Sequence, residues 1–219
     1  GTCNPLDPSH LFSQGRRPIY LIRHGQTAWN VERRFLGKSD IPLDEEGKSQ
    51  ADALRARISF LPLETIYSSP LTRASQTADA LTQSRPQCHV KMVQDLAELD
   101  QGELEGMKGD RLPSEYPEFF HAWTANPATA RVPGGETMAE CQERSWNALQ
   151  WILQDSDPTQ PLALVTHKMV ICTLVCRLLE LPIKQFRTIG QGNTAINLLS
   201  HGPDGLQLHR LNDVEHLTP

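Results

Sequence analysis

The sequence has no excess of positive charge. Its 21 lysines and arginines stand against 26 aspartates and glutamates, for a formal net charge of -5. Nucleic acid and anionic membrane surfaces both call for a clustered basic footprint, so neither is expected as a partner. No stretch approaches the ~20 apolar residues of a membrane span, and no charged-then-apolar signal peptide opens the chain. Cysteine is scarce: Cys3, Cys88, Cys141, Cys172 and Cys176 are odd in number, unevenly spaced and free of any Cys-x-x-Cys, which argues against a disulfide framework or a zinc motif. Cys172 and Cys176 lie one helical turn apart within an apolar helix, without further ligands at useful spacing, and read as buried structural residues. Neither a metal nor a cofactor is expected, and the expected compartment is the cytoplasm. The chain opens on Gly1 instead of Met, so a longer parent protein stays open. At 219 residues the length suits one α/β domain with a full core.

What is present begins with Ile19, Tyr20, Leu21 and Ile22, a short β-forming apolar run that reads as a strand buried on both faces. It stops at Arg23-His24-Gly25, which places a cation, an imidazole and a glycine at a strand's carboxyl end, the edge where open α/β sheets bind ligands. Residues 26–35 read as a short helix or tight turn. Asp44 is a plausible N-cap for a helix to about Ser59, with Ala51, Leu54, Ile58 and Leu61 on one apolar face. Thr65 to Ser68 reads as a second strand, and Ser69-Pro70 as cap and first position of a helix that carries Arg73 in its first turn. A helix amino terminus welcomes an anion, and Arg73 would add a cation there.

Cys88 to Val93 reads as a third strand, leading into a carboxylate-dense loop from Leu96 to Gly106. Asp100, Glu103 and Glu105 of that loop read as solvated. Tyr116 to Asn126 reads as a short aromatic helix, with Phe119, Phe120 and Trp123 more at home in a core than against a substrate. With residues 107–111 it could cap the site. Pro133-Gly134-Gly135 is a turn before a long amphipathic helix that keeps Met138, Cys141, Leu149 and Ile152 on one side. Leu162 to Thr166 is another buried strand, and His167 follows it as His24 follows the first. A terminal hairpin spans 193–211, turning at 201–205. Residues 1–17 read as a tail or linker, 18–212 as the domain, and 213–219, with His216, as a C-terminal tail.

Leu-Ile-Arg-His-Gly-Gln-Thr-Ala-Trp-Asn (21–30) resembles the signature of the histidine phosphatase superfamily, the phosphoglycerate-mutase-like enzymes. Tyr-Ser-Ser-Pro-Leu-Thr-Arg-Ala-Ser-Gln-Thr-Ala (67–78) resembles its second motif. Glu98 matches the family's acid/base glutamate and Val-Thr-His (165–167) its last catalytic motif. Lys168 departs from the glycine common after that histidine, and could add a cation. The resemblance implies a three-layer α/β/α sandwich with a mostly parallel central sheet, which the alternation of strands and helices suggests independently.

The resemblance further implies His24 as a phosphorylated nucleophile and Glu98 as acid and base. Arg23, Arg73 and His167 would clamp phosphoryl oxygens together with Asn30, with Gly25, Gln26, Thr27, Gly37 and Lys168 as further substrate-binding positions. The partner expected is a small-molecule phosphate ester, with pairing into a homodimer left open. The segment from Gly106 to Pro133 is short beside the long insertion of the family's mutases, and resembles the broad phosphatase branch. That branch acts on sugar phosphates, phosphoserine, phosphoglycerate derivatives or ribazole phosphate. A cofactor-dependent phosphoglycerate mutase and a catalytically silent phosphate-binding module are the alternatives.

Overall fold

The apolar run at 19–22 alternates between two environments. Ile19 and Leu21 pack into one hydrophobic cluster, Tyr20 and Ile22 into another, as a strand with helices on both faces requires. The computed structural model describes residues 3–218. In chain order it runs α1 (Ser9–Ser13), β1 (Arg17–Arg23), α2 (Ala28–Val31), α3 (Glu45–Arg57), β2 (Thr65–Ser68), α4 (Thr72–Thr82), β3 (His89–Met92), α5 (Leu112–Glu115), α6 (Pro117–Ala125), α7 (Met138–Asp155), β4 (Leu162–Thr166), α8 (Lys168–Leu178), β5 (Ile196–Gly202) and β6 (Gly205–Asp213).

The six strands form one sheet in the order β3-β2-β4-β1-β5-β6. The β3-β2, β2-β4 and β4-β1 pairs are parallel, whereas β5 and β6 add an antiparallel edge. One face is covered by α7 and α8, whose Met138, Cys141, Leu149, Ile152, Ile171 and Val175 meet Leu162 and Leu164. The other is covered by α3 and α4: Leu54, Ile58 just past the end of α3, Ala78 and Leu81 meet Ile66, Ala163 and Val165. The result is a three-layer α/β/α sandwich with a mostly parallel sheet. Asp44 caps α3 by accepting the Gly47 N–H at 2.7 Å, and Thr137 with Glu140 forms a capping box at the start of α7.

Residues of both segments read as tails, or at their border, make packed contacts. The segment read as an N-terminal tail buries Leu6 and Leu11 completely beneath Tyr20, and the Tyr20 hydroxyl donates to Leu6 O at 2.5 Å. Leu6 and Leu11, five positions apart in a polar, proline-containing stretch, set no sustained period, but each removes surface from water, about 25 cal/mol per Å². At the other end, Asp213 closes β6 while buried, held by Arg57 at 3.1 Å and by Arg210. Residues 215–217 follow as one tight turn. No helix among the described residues is long and apolar enough to cross a membrane.

Candidate active site

The parallel register of β1 and β4 sets Arg23 beside Thr166, so His24 and His167 emerge one residue further on from neighbouring strands. The His24 N–H donates to Thr166 O at 3.1 Å, and the two ring centroids are 5.1 Å apart. On the far side of β4, Ser68 pairs with Val165 and the Ser69 N–H reaches Val165 O at 2.9 Å. Three strand ends thus converge. Both rings are buried, with His24 3% and His167 0% exposed.

The Nδ1 of His24 lies 2.6 Å from Gly25 O. A carbonyl oxygen only accepts, so Nδ1 carries the proton and Nε2 keeps an unshared pair. Burial, then the charges of Arg23 and Arg73, holds the His24 pKa well below its ordinary 6.5; the ring is neutral at neutral pH. Glycine is required at 25 by close approach, because a Cβ there would stand 2.7 Å from Gly47 O.

Arg73 is fully buried and donates through Nη1 to Ser39 O at 2.8 Å and through Nη2 to Gly37 O at 2.7 Å. Arg23 donates to Gln191 O at 2.5 Å. Burial lowers the pKa of both guanidinium groups, that of Arg73 to about 10, which leaves them charged. Arg23 Nε, Arg73 Nε and His167 Nδ1 are buried without a hydrogen-bond partner among the described residues. An unpaired buried donor costs about 1–3 kcal/mol. The two guanidinium N–H groups and the imidazole nitrogen, borne by groups whose charges act on one another, are free to meet a tetrahedral anion.

Glu98 is 6% exposed. It accepts the Leu99 N–H at 2.8 Å and the Met169 N–H, in the first turn of α8, at 3.1 Å. Burial raises its pKa, opposed by those two donors and by Arg73 and Arg23. A carboxyl group inclined to hold a proton beside an anion site can act as a general acid.

The histidine phosphatase superfamily (branch 1) matches residues 19–214. The chain belongs to that superfamily. Among curated relatives it is 34% identical to the probable phosphoglycerate mutase GpmB of Salmonella choleraesuis, over 91% of this chain and 94% of that protein. Among solved structures it is similar to Bacillus stearothermophilus YhfR, with a TM-score of 0.86 and 28% identity over 92% of this chain and 100% of the other. It is also similar to a mycobacterial glucosyl-3-phosphoglycerate phosphatase, with a TM-score of 0.79 and 28% identity over 90% and 99%.

Not every superfamily-motif residue faces the anion site. The Gln26 side chain donates to Asp44 at 2.9 Å and its N–H to Gln50, so this expected substrate contact is committed to the start of α3. Thr27, fully buried, caps α2 by accepting the Asn30 N–H at 3.2 Å; its role is local structure. Asn30 Oδ1 accepts from Thr27 N and from Asn193 Nδ2, while no hydrogen bond from the Asn30 amide group is formed among the described residues. Gly37 holds Arg73 through its carbonyl. Lys168 is exposed at the first position of α8, with no ion-pair partner among the described residues.

Six residues make contacts at the site that a reading of sequence does not find. Ser69, expected to cap a helix, instead places its Oγ 2.7 Å from His167 Nε2. The helix starts at Thr72, and Asp40 from the preceding loop takes the Thr72 N–H at 2.6 Å. Glu105, expected to be solvated, accepts the N–H groups of Gly37 and Lys38 at 3.1 and 2.7 Å, pinning the loop that holds Arg73. Asn193 and Gln191 support His24 and Arg23 from the β5 approach; no motif marks them. His216, expected on a free tail, is 2.9 Å from Thr194 Oγ1, and the Thr194 N–H donates to His24 O.

Proposed function

We propose that this protein is a metal-independent phosphomonoesterase of the cytoplasm, which hydrolyses a small phosphorylated metabolite through a phosphohistidine at His24. The observation that supports it most is the trio of buried, unpartnered nitrogens, Arg23 Nε, Arg73 Nε and His167 Nδ1, together with an imidazole, that of His24, whose Nε2 is the free nitrogen. Phosphoryl transfer spreads negative charge over equatorial oxygens while nucleophile and leaving oxygen stand in line. Fixed donors around such a centre stabilise it without reorganisation.

In this mechanism His24 Nε2 forms a bond to phosphorus as the bond to the ester oxygen breaks. Glu98, whose pKa burial raises, gives its proton to the departing alkoxide. The resulting carboxylate then takes a proton from water, the hydroxide attacks phosphorus, and the P–N pair returns to His24. Inorganic phosphate leaves. The exposed Lys168 and the amide of Asn30 are available to the substrate.

A mutase is the second reading, because the enterobacterial relative carries that name. Against it, two of the cations in the 106–133 segment are engaged: Arg111 with Glu115 and Arg131 with Glu140, each at 2.7 Å. Lys108 and Lys168 remain for a second anionic group. With 3-phosphoglycerate and a trace of 2,3-bisphosphoglycerate, phosphate release is expected to exceed 2-phosphoglycerate formation by more than about 10-fold, a difference of only ~1.4 kcal/mol between competing barriers. Comparable or faster isomerisation would replace the phosphatase reading with the mutase one.

A further inference from the structure

The anion site contains one histidine whose protonated nitrogen is fixed by a main-chain carbonyl, and a second for which no carbonyl or carboxylate does the same. His167 is fully buried. Among the described residues its Nδ1 has no partner, and its Nε2 has one, the Ser69 hydroxyl at 2.7 Å. Geometry alone permits two arrangements, because a hydroxyl both donates and accepts.

The surroundings of Ser69 choose between them. Ser69 is itself 0% exposed, so its hydroxyl proton has no access to solvent. Its oxygen already accepts the Leu71 N–H at 3.3 Å. Among the described residues Oγ donates to no oxygen, and His167 Nε2 is the acceptor within reach. Were Nε2 to carry the proton, the hydroxyl hydrogen would be stranded in the interior and a bare Nδ1 pair would face the anion site. With the proton on Nδ1, the hydroxyl is satisfied and Nδ1–H joins Arg23 Nε and Arg73 Nε as a third donor. Burial and the cations of Arg73 and Arg23, which hold the His167 pKa well below 6.5, keep the ring from carrying both protons.

We propose that Ser69 is a positioning residue: its hydroxyl donates to His167 Nε2 and thereby keeps the imidazole proton on Nδ1, where it meets the phosphoryl oxygens. Ser69 touches no substrate in this scheme and acts only through His167. The inference rests on the phosphatase reading for its catalytic consequence, but not for the tautomer. Backbone geometry makes the serine effective, since its N–H is anchored to Val165 O at the end of β4, two residues before the ring that it orients. A partner group that fixes the tautomer and orientation of a functional imidazole typically changes activity by about 10–100-fold when removed.

The test is long-range ¹H–¹⁵N correlation of the histidine rings in the full chain, at neutral pH, with the His167 signals assigned by their loss in His167→Asn. The expected wild-type result is a protonated Nδ1 and a bare, pyridine-type Nε2. In Ser69→Ala the proton should move wholly or partly to Nε2, and kcat should fall about 10–100-fold with a smaller change in KM. A protonated Nε2 in the wild type overturns the proposal, as does a Ser69→Ala protein with an unchanged tautomer and unchanged kcat. Should that variant not fold, the wild-type spectrum decides by itself. A bare Nε2 in an enzyme that forms no phosphohistidine would support the role of Ser69 while refuting the phosphatase reading.

Discussion

The rings of His24 and His167 stand 5.1 Å apart, with their planes inclined at 56°, and neither can gain a proton cheaply. A positive charge on either would sit in a buried site already occupied by the cations of Arg23 and Arg73. Both histidines are therefore neutral above about pH 6.5, and stay so well below it. Protonation of His24 removes the attacking pair, so the acid limb of kcat/KM should fall well under 6.5 once substrate ionisation is corrected for. Glu98 acts in the opposite sense: its pKa is raised, and activity on alkyl phosphates should be lost as the pH climbs through that raised value. A pH profile of Glu98→Gln should lack the alkaline limb and keep the acid one. An acid limb at or above 6.5 in the wild type would contradict the neutral-histidine assignment.

Glu98 can also be tested through the leaving group. A proton matters most when the departing oxygen is basic, so Glu98→Gln should slow alkyl phosphates more than p-nitrophenyl phosphate, whose phenolate leaves unaided. Parallel rate measurements on the two substrates check this. Equal losses would take Glu98 out of the acid role and direct attention to Asp100 or Glu103.

The loop contacts of Glu105 make a third prediction. Removing its two bonds to Gly37 and Lys38 should cost about 2 kcal/mol, lower Tm by roughly 4–8 °C, and raise KM for phosphate esters as Arg73 loses its fixed carbonyls. The exposed Glu103 serves as control, and its alanine variant should stay within about 0.5 kcal/mol of wild type. Thermal melts and steady-state kinetics compare the two, and equal behaviour would deny Glu105 its place in the site.

Activity should persist in excess EDTA, since Arg23, Arg73 and His167 supply the positive charge and donors that a divalent ion would otherwise bring. Among the described residues no group of three or more His, Cys, Asp or Glu side chains converges. A strict Mg²⁺ or Mn²⁺ requirement, with activity lost on chelation and restored by the ion, would contradict a metal-independent site.

Much of this arrangement was legible because its signals are periodic or contiguous. The apolar runs at 19–22 and 162–166 marked strands buried on both faces, and in each case the residue after the strand is the histidine of interest. Ala51, Leu54 and Ile58, and Met138, Cys141, Leu149 and Ile152, marked helix faces that are indeed buried. What stayed hidden depends on residues distant in sequence. Ser69 looks like a helix cap until β4 brings His167 beside it, 98 positions later; Asp40 then caps the helix from another loop. Glu105 looks solvated until Gly37 and Lys38 fold onto it. Leu6, Leu11 and His216 carry no local pattern, yet each is fixed by a contact with β1 or with the turn before β5. Gln26 and Thr27 lie within the motif most similar to the superfamily, but their side chains serve the local fold, which proximity to a nucleophile in sequence does not distinguish.

In the proposed mechanism, phosphate passes through His24. Rapid mixing with ³²P-labelled substrate, an alkaline quench that preserves phosphohistidine, and peptide mapping by mass spectrometry test it directly. Label is expected on the peptide containing His24 within the first turnover, with no label in His24→Ala and a loss of at least ~10³ in kcat for that variant. Label on another residue, or near-full activity in His24→Ala, would contradict it.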